Sequence, residues 1–322
     1  MKAIVVEEFG GPEVLALREV PDLVPGPGQV LVKVHAAGVN PVDTYVRSGA
    51  YARKPALPFT PGSDAAGRVE AVGAGVARFK AGDRVYVFGM GTHTGGYAQQ
   101  LLAPESSLQF LPANTSFSQG AALGVPYGTA HFGLWARGGA KPGETVLVHG
   151  ASGGVGIGAV QLARAGGLRV FGTASTEAGR EALLQTGAHA VFDHSEPGYF
   201  DKIMAGTGGK GLDLILEMLA NVNLEKDLRG LALGGRVVVI GSRGRIEIDP
   251  RDTMARNADV RGLMLGLASP QELRQIHASL RAGLENGSLK PLLSQELPLI
   301  DAPRAHTDVM KDKKIGKIVL LP

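Results

Sequence analysis

Cysteine is absent from this chain of 322 residues, and aromatic residues make up only 5% of it. Without a thiol, the protein cannot form disulfide bonds, a thiolate–metal site or a cysteine nucleophile. No apolar run approaches the length of a membrane span, and the N-terminal segment MKAIVVEEFG lacks the apolar region of a signal peptide. Long runs of lysine or arginine are also missing, so we expect a cytoplasmic protein that binds neither a membrane nor nucleic acid.

The residues that are present indicate an enzyme-sized globular protein. Apolar residues account for 44% of the chain and charged residues for 20%, as is ordinary for a soluble enzyme. The length is sufficient for two domains, each with its own hydrophobic core.

The most informative segment begins at residue 145. An apolar run at 145–149 is followed by glycines at positions 150, 153, 154 and 156, and then by an alanine-rich helical pattern. This order is typical of a dinucleotide site, because glycine lets the backbone approach the pyrophosphate and the helix N-terminus offers free N–H groups. The spacing differs from GxGxxG, and a tight turn requires glycine even without a ligand. The strand and helix units that follow favour the nucleotide site.

Two kinds of pattern divide the chain. The first hundred residues contain short alternating runs between Pro/Gly turns, which predicts a β-rich, barrel-like sheet. A helical pattern at 119–138 begins or breaks at Pro126. From residue 145 onward, strands alternate with helices, which predicts the α/β class with a doubly wound parallel sheet. Strands are predicted at 145–149, 168–173, 189–193, 212–217 and 236–241, and helices at 155–165, 176–186, 198–205 and 223–233.

The last part of the chain leaves this alternation. We predict a helix at 270–285 and a final strand at 317–321 that returns to the first domain. The apolar run 260–265 is predicted to be an edge strand of the parallel sheet. Because an unpaired apolar edge invites association, we expect two copies to pair through it around a two-fold axis.

Several longer motifs carry a resemblance to a known family. They are FGGPEVL (9–15), VHAAGVNPVDTYVRSGAY (34–51), PGSDAAGRVEAVG (61–73), QGAALGVPYGTA (119–130), VLVHGASGGVG (146–156), EMLANVNLEKDL (217–228) and GSRGRIEIDPRDTM (241–254). With them the chain resembles the zinc-free, ζ-crystallin-like quinone oxidoreductases of the medium-chain dehydrogenase/reductase superfamily. The resemblance implies a GroES-like, partly barrel-like catalytic domain at 1–123, a six-stranded Rossmann NADP-binding domain at 124–265, and a C-terminal return to the catalytic domain at 266–322. It also implies a homodimer or homotetramer.

The residues argue against a catalytic zinc. Zinc-dependent members of the superfamily place a cysteine ligand after the AAG(V/I) strand and a histidine in a Gly-His-Glu turn. This chain has Asn40-Pro41 at the first place and Gly62-Ser63-Asp64 at the second, and its eight histidines show no HxxxH spacing. Catalytic zinc usually takes three protein ligands, so we expect no metal. Reduction of an electron-poor acceptor, a quinone or an enone, is then the easier chemistry.

The end of the second strand of the alternating block indicates the cofactor. NAD sites place Asp or Glu there to bind the ribose 2′-hydroxyl. Here the strand runs into Ala174, Ser175 and Thr176, with no carboxylate before Glu177, which predicts NADPH. Arg180 could neutralise the 2′-phosphate. Ser175 and Thr176 could equally well cap the next helix.

The resemblance also implies particular site residues. The cofactor-binding residues are Tyr45, Ser152, Gly153, Gly154, Val155, Ser175, His194, Asn223, Ile240, Gly241, Ser242, Arg243, Leu263, Met264 and Leu265. The catalytic or substrate-side residues are Asn40, Asp43, Tyr45, Tyr51 and Tyr127. Each position also has a structural explanation: Asp43 and Asn223 as helix caps, Gly241 as a strand end, Met264 and the tyrosines as packing residues.

The expected function is an NADPH:quinone oxidoreductase. Nothing in the sequence forms a Ser/His/Asp set, so catalysis is expected to depend on positioning and on exclusion of water. An NADPH-dependent enone or enoyl-thioester reductase stays open, because Tyr45 or Tyr127 could serve a developing enolate oxygen. The third alternative is a non-catalytic, RNA-binding role, for which clustered Lys and Arg residues would be required.

Overall fold

The computed structural model describes residues 1–52, 54–88, 93–311 and 314–322. The chain forms two compact units, one of Met1–Val125 with Arg281–Pro322 and the other of Pro126–Leu280. The chain passes from the first unit to the second after Val125, close to the predicted boundary at 123–124. It returns to the first unit after Leu280 rather than at 265–266, because most of the helix at 270–285 makes its contacts within the second unit.

From Thr145 onward, the helices and strands alternate much as predicted. The strands are β1 Lys2–Val5, β2 Ala16–Glu19, β3 Gln29–Val39, β4 Asp64–Val72, β5 Arg84–Val87, β6 Gln100–Pro104, β7 Leu108–Phe110, β8 Thr145–Val148, β9 Arg169–Thr173, β10 Ala190–Phe192, β11 Leu212–Glu217, β12 Leu231–Val239, β13 Asp259–Gly262, β14 Leu293–Pro298 and β15 Lys317–Leu321. The α-helices are α1 Pro41–Arg47, α2 Phe117–Gly120, α3 Gly124–His131, α4 Gly154–Ala165, α5 Glu177–Thr186, α6 Tyr199–Gly206, α7 Ala220–Gly230, α8 Arg251–Met254, α9 Pro270–Glu285 and α10 Ala302–Asp308.

The first unit is built on a seven-stranded sheet with the order β14-β15-β3-β4-β5-β7, in which β6 also pairs with β3. The long strand β3 places Val30, Val32 and Val34 in a buried apolar core, while Lys33 points to solvent. The C-terminal strand β15 pairs with the end of β3, with Ile318 opposite Val39. The end of the chain therefore belongs to the sheet of the first unit.

The second unit contains a six-stranded parallel sheet with the order β10-β9-β8-β11-β12-β13. This confirms the predicted α/β class and the doubly wound parallel sheet. The chain starts at β8, builds outward through β9 and β10, and then returns to the other side of β8 with β11. The crevice beside β8 at the carboxyl ends of the strands is where such sheets bind ligands.

Three predicted elements differ in detail. The segment 119–138 contains α2, α3 and a π-helical turn at Phe132–Arg137, and Pro126 lies in the first turn of α3, where its missing N–H breaks no hydrogen bond. The helix predicted at 223–233 is Ala220–Gly230, because buried Leu231 already pairs with Leu212 of β11. The edge strand predicted at 260–265 is shorter, Asp259–Gly262, and a 3₁₀ turn follows it at Leu265–Leu267.

Among the described residues, no helix combines the length and the apolar composition needed to cross a membrane.

Candidate active site

The turn between β8 and α4 is fixed by its glycines. Gly150 adopts φ +55°, a left-handed conformation that favours glycine. The N–H groups of Gly150 and Ala151 donate to the Oγ1 (3.1 Å) and the carbonyl oxygen (2.9 Å) of Thr173, at the end of β9. A Cβ at Gly156 would overlap the backbone of Ala151. Glycine therefore lets α4 start directly against the turn.

The N-terminus of α4 suits an anion. Gly153 is the N-cap residue and contributes no side-chain cap to the N–H groups of the first turn. Ser152, Gly153, Gly154 and Val155 are all partly exposed. Together with the dipole of a helix of 12 residues, this arrangement fits the pyrophosphate of a dinucleotide.

The end of β9 separates two alternatives that the sequence left open. Thr176 caps α5, since its Oγ1 accepts the N–H of Gly179 at 3.1 Å. Ser175 is not the cap and lies partly exposed beside it. Arg180 donates to the Asp193 carboxylate at 2.5 Å, and this ion pair compensates its charge. Arg180 is therefore not a free cation for a 2′-phosphate, whereas the Ser175 hydroxyl is available.

The ends of β11 and β12 are held together through Glu217. Its carbonyl oxygen accepts the N–H groups of Ile240 (2.8 Å) and Gly241 (3.2 Å). Asn223 lies inside α7 rather than at its cap, and its Nδ2 donates to Oε1 of Glu217 at 3.2 Å. A Cβ at Gly241 would lie 2.5 Å from the carbonyl oxygen of Met218, so close packing alone requires glycine there.

The remaining predicted cofactor residues are exposed in different degrees. Ser242 and Arg243 lie exposed beyond β12, where the Arg243 N–H donates to Oδ1 of Asn221 at 2.8 Å. Leu263 continues the pairing of β13 through an N–H to the Val239 carbonyl. Met264 is 49% exposed, which excludes the alternative that it is a core residue.

The predicted nucleotide residues of the second unit therefore share one edge of the sheet. Because all six strands are parallel, their carboxyl ends meet there. That edge carries Ser152–Val155 after β8, Ser175 after β9, His194 after β10, Asn223 and Gly241 after β11 and β12, and Leu263–Leu265 after β13. Tyr45 lies in the first unit, partly exposed on α1.

Asn40 and Asp43 begin α1 in the first unit as a capping box. Oδ2 of Asp43 accepts the Asn40 N–H at 2.9 Å, and its Oδ1 accepts the hydroxyl and the N–H of Ser63 at 2.6 and 3.1 Å. Burial raises the pKa of Asp43 to about 6, against the lowering effect of the Ser63 hydrogen bond. Both side chains are almost fully buried, so they hold α1 against the turn that contains Ser63.

Lys317 is the residue at this place that sequence reasoning missed. Its Nζ contacts Oδ1 of Asn40 and lies 3.2 Å from Oδ2 of Asp64, and all three side chains are buried. The other Asp64 oxygen accepts the N–H of Val125 at 2.7 Å. The only signal in the sequence is one lysine at the start of the apolar run KIVLL. Asn40 and the turn before β4, where zinc-dependent members place ligands, thus form a closed hydrogen-bond network.

The predicted substrate-side tyrosines separate into two groups. Tyr45 and Tyr51 are partly exposed on and just after α1. Tyr127 is only 1% exposed, and its hydroxyl donates to Oε1 of Gln161 at 2.8 Å. Burial raises the pKa of Tyr127 well above its ordinary value. Its prediction as a catalytic donor is therefore corrected: this hydroxyl is committed to packing between α3 and α4.

Comparison with known proteins gives a consistent result. Family models for the alcohol dehydrogenase GroES-like domain and for the zinc-binding dehydrogenase match residues 26–113 and 154–281. The quinone oxidoreductase of Rattus norvegicus is 53% identical over 324 residues, covering 100% of this chain and 98% of the rat protein. The structure of Escherichia coli quinone oxidoreductase complexed with NADPH matches with a TM-score of 0.88 at 30% identity, over 100% of both chains. The CurK enoyl reductase matches with a TM-score of 0.89 at 27% identity, over 99% of this chain and 98% of that protein.

Proposed function

The chain belongs to the quinone oxidoreductase family of the medium-chain dehydrogenase/reductase superfamily, and from this premise we propose that it is an NADPH-dependent quinone reductase that needs no metal. The observation that carries the proposal is the uncapped N-terminus of α4 behind the Gly150–Gly156 turn. It offers backbone N–H groups and no side chain, as a pyrophosphate requires.

The carboxyl edge of the parallel sheet would hold the rest of the cofactor. Ser175 lies where the ribose 2′-substituent is expected, and a hydroxyl there tolerates a phosphate that a carboxylate would repel. Arg243, exposed beyond β12, is a cation that could bind this phosphate. Backbone groups around Leu263–Leu265 would bind the nicotinamide amide. When bound, NADPH supplies the hydride.

The protein's own contribution to the reduction is positioning. A quinone is already electron-poor, and the oxygen of the reduced product can take its proton from solvent, so no acid or base residue is required. Tyr45 and Tyr51 are the substrate-side candidates with accessible side chains. Asn40 acts through the buried network that holds α1 rather than on a substrate.

A panel of acceptors tests this function. We expect NADPH oxidation to be fastest with ortho- and para-quinones and slow with enones and an enoyl thioester, with full activity after treatment with a chelator. Preference for the enoyl thioester would instead support an enoyl reductase, which the likeness to CurK makes the second candidate. Stoichiometric zinc in the purified protein, together with loss of activity when a chelator removes it, would overturn the metal-free mechanism.

We further propose a cytoplasmic homodimer that pairs through β13. This edge strand and the turn after it expose Val260, Met264 and Leu267. Covering such an edge with its own copy removes an aggregation hazard and creates a continuous sheet. Light scattering at micromolar concentration should give at least the mass of a dimer, and a monomer mass would contradict the pairing.

A further inference from the structure

A second buried polar cluster lies directly beneath the glycine turn. We call it the histidine cluster: His149, the residue before Gly150, with Glu217 at the end of β11 and Asp227 on α7. Their exposed fractions are 3%, 0% and 0%. One ligand atom of each lies within 4.8 Å of the others. Nothing in the proposed hydride transfer uses these side chains.

The hydrogen bonds of the cluster leave two acceptor oxygens without a donor. Nε2 of His149 lies 2.8 Å from Oδ1 of Asp227 and 3.4 Å from Oε2 of Glu217. Oε1 of Glu217 accepts the Leu219 N–H and Nδ2 of Asn223. Oε2 of Glu217 and Oδ2 of Asp227 are buried without a hydrogen-bond partner. Such a group costs on the order of 1–3 kcal/mol, and more when charged.

A bound proton accounts for the two oxygens without a donor better than a metal ion does. The carboxyl groups of Glu217 and Asp227 interact as hydrogen-bond partners, and a proton on one of them turns it into a donor to the other. A tetrahedral ion with ligand bonds of about 2.1 Å would hold its ligand atoms about 3.4 Å apart. The 2.8 Å between His149 and Asp227 is instead the length of a hydrogen bond.

The surrounding charges favour the same state. Burial raises the pKa of Glu217 and of Asp227 to about 7 each. Burial lowers the pKa of His149, so its neutral ring donates from Nε2 to Asp227. Within the described part of the chain, the charged group that acts on the cluster besides its three members is Lys226 of α7, which lowers the pKa of both His149 and Asp227.

We propose that His149, Glu217 and Asp227 share a proton that holds the NADPH-binding edge in its binding arrangement. This inference rests on the proposed function, since it concerns the same edge. Three predicted nucleotide segments meet at the cluster: the turn after His149, Asn223 through Glu217 Oε1, and Ile240–Gly241 through the Glu217 carbonyl oxygen. The three members are positioning residues that touch no substrate.

Loss of the shared proton weakens NADPH binding in two ways. Two adjacent buried carboxylates repel each other, and this repulsion separates α7, with Asn223, from the end of β11. The additional negative charge also lies beneath the turn that would receive the pyrophosphate, so it disfavours an anion there. Both effects make binding weaker as pH rises through the neutral range.

The test compares the wild type with Asp227→Asn as full chains. Asparagine accepts from His149 and donates to Glu217, so it imitates the protonated acid at every pH. We expect the Kd for NADPH, measured by fluorescence, to rise on the order of fivefold more between pH 6 and pH 8.5 in the wild type than in Asp227→Asn, since one pKa unit of coupling corresponds to tenfold. Titration of the NADPH phosphate itself is common to both proteins. Asp201→Asn, an exposed change on α6, should keep the wild-type profile.

The possible results distinguish a failure of this inference from a failure of the proposed function. Parallel pH profiles of wild type and Asp227→Asn would overturn the inference while leaving the proposed function intact. Absence of NADPH binding at all pH values would overturn the proposed function. Thermal unfolding of the unliganded proteins would then decide on the shared proton, because the wild type should lose more stability from pH 6 to 8.5 than Asp227→Asn. If Asp227→Asn does not fold, Glu217→Gln makes the same test. Stoichiometric zinc bound by the wild type and lost in Asp227→Asn would replace the proton by a metal site.

Discussion

The two units bury their charges in opposite ways. In the first unit, both oxygens of Asp43 and both of Asp64 accept hydrogen bonds, and Nζ of Lys317 forms an ion pair with Asp64 at 3.2 Å. In the histidine cluster of the second unit, two carboxyl groups share a neutral imidazole, and two oxygens lack a donor. A buried carboxylate thus has two solutions in one chain: a protein cation, or a proton taken from solvent.

The difference determines how each cluster responds to its surroundings. A cluster completed by lysine is sensitive to removal of that side chain, since the carboxylate left behind is buried and unpaired. A cluster completed by a proton responds to pH instead, because solvent can withdraw the proton without any change in the chain.

The largest expected effect is that of Lys317→Met. Methionine keeps the volume of the buried stem but leaves Asp64 without its cation, which should lower the free energy of unfolding by about 3–5 kcal/mol. Urea denaturation at pH 7.5 measures the loss. Lys33→Met, on the exposed face of β3, is the matched control and should change stability by no more than about 0.5 kcal/mol. Equal losses in the two variants would contradict the role of the ammonium.

A second prediction concerns stability against pH in the unliganded protein. The raised pKa of Glu217, about 7 against an ordinary 4.5, adds stability that is fully present below pH 4.5 and is lost as pH rises through 7. Asp227 has the same sign, and so does Asp43, whose pKa is raised to about 6. The lowered pKa of His149 has the opposite sign, and its contribution is lost as pH falls below 6.5.

We therefore expect the wild type to lose about 2 kcal/mol of unfolding free energy between pH 6 and pH 8.5. Asp227→Asn should lose clearly less, because residue 227 no longer titrates and the asparagine amide can donate to Glu217. Denaturation curves at matched ionic strength give both slopes. Identical slopes would assign the whole dependence to Asp43 and remove the contrast between the clusters.

More of the fold than of either buried cluster could be predicted from the sequence. The six-strand alternation, the glycine turn and the edge position of β13 follow from local pattern, because periodicity and glycine placement report on neighbouring residues. Lys317 contacts Asn40 and Asp64 across more than 250 positions of the chain, and no local pattern connects them. The sequence places His149 and Glu217 in predicted strands and offers Tyr127 either as a donor or as a packing residue, because burial of a single polar side chain is decided by tertiary packing.

A third prediction concerns a charge introduced at a partly exposed position rather than in a buried cluster. Ser175→Asp adds a carboxylate at the partly exposed end of β9, where it would repel the 2′-phosphate. We expect the Kd for NADPH to rise about tenfold, or about 1.4 kcal/mol, with little change for NADH. High salt should reduce the effect, because exposed charges are screened.

If Ser175→Asp raises the Kd for NADPH and for NADH equally, or changes neither, the side chain does not face the ribose substituent. Ser175→Ala serves as the control, since it removes the hydroxyl without adding charge and should change either Kd only slightly.

The smallest expected effect is that of Tyr127→Phe, which removes one neutral buried hydrogen bond. The variant loses the 2.8 Å hydrogen bond from Tyr127 to Gln161, so the free energy of unfolding should fall by about 1 kcal/mol. No charge is involved, and the loss should be the same at pH 6 and pH 8.5, unlike a loss that involves the histidine cluster. Because the hydroxyl is buried in packing, turnover of quinones and of an enoyl thioester should stay within about twofold of the wild type. A selective loss of enoyl-thioester reduction with unchanged stability would return Tyr127 to the role of proton donor and favour the enoyl reductase function.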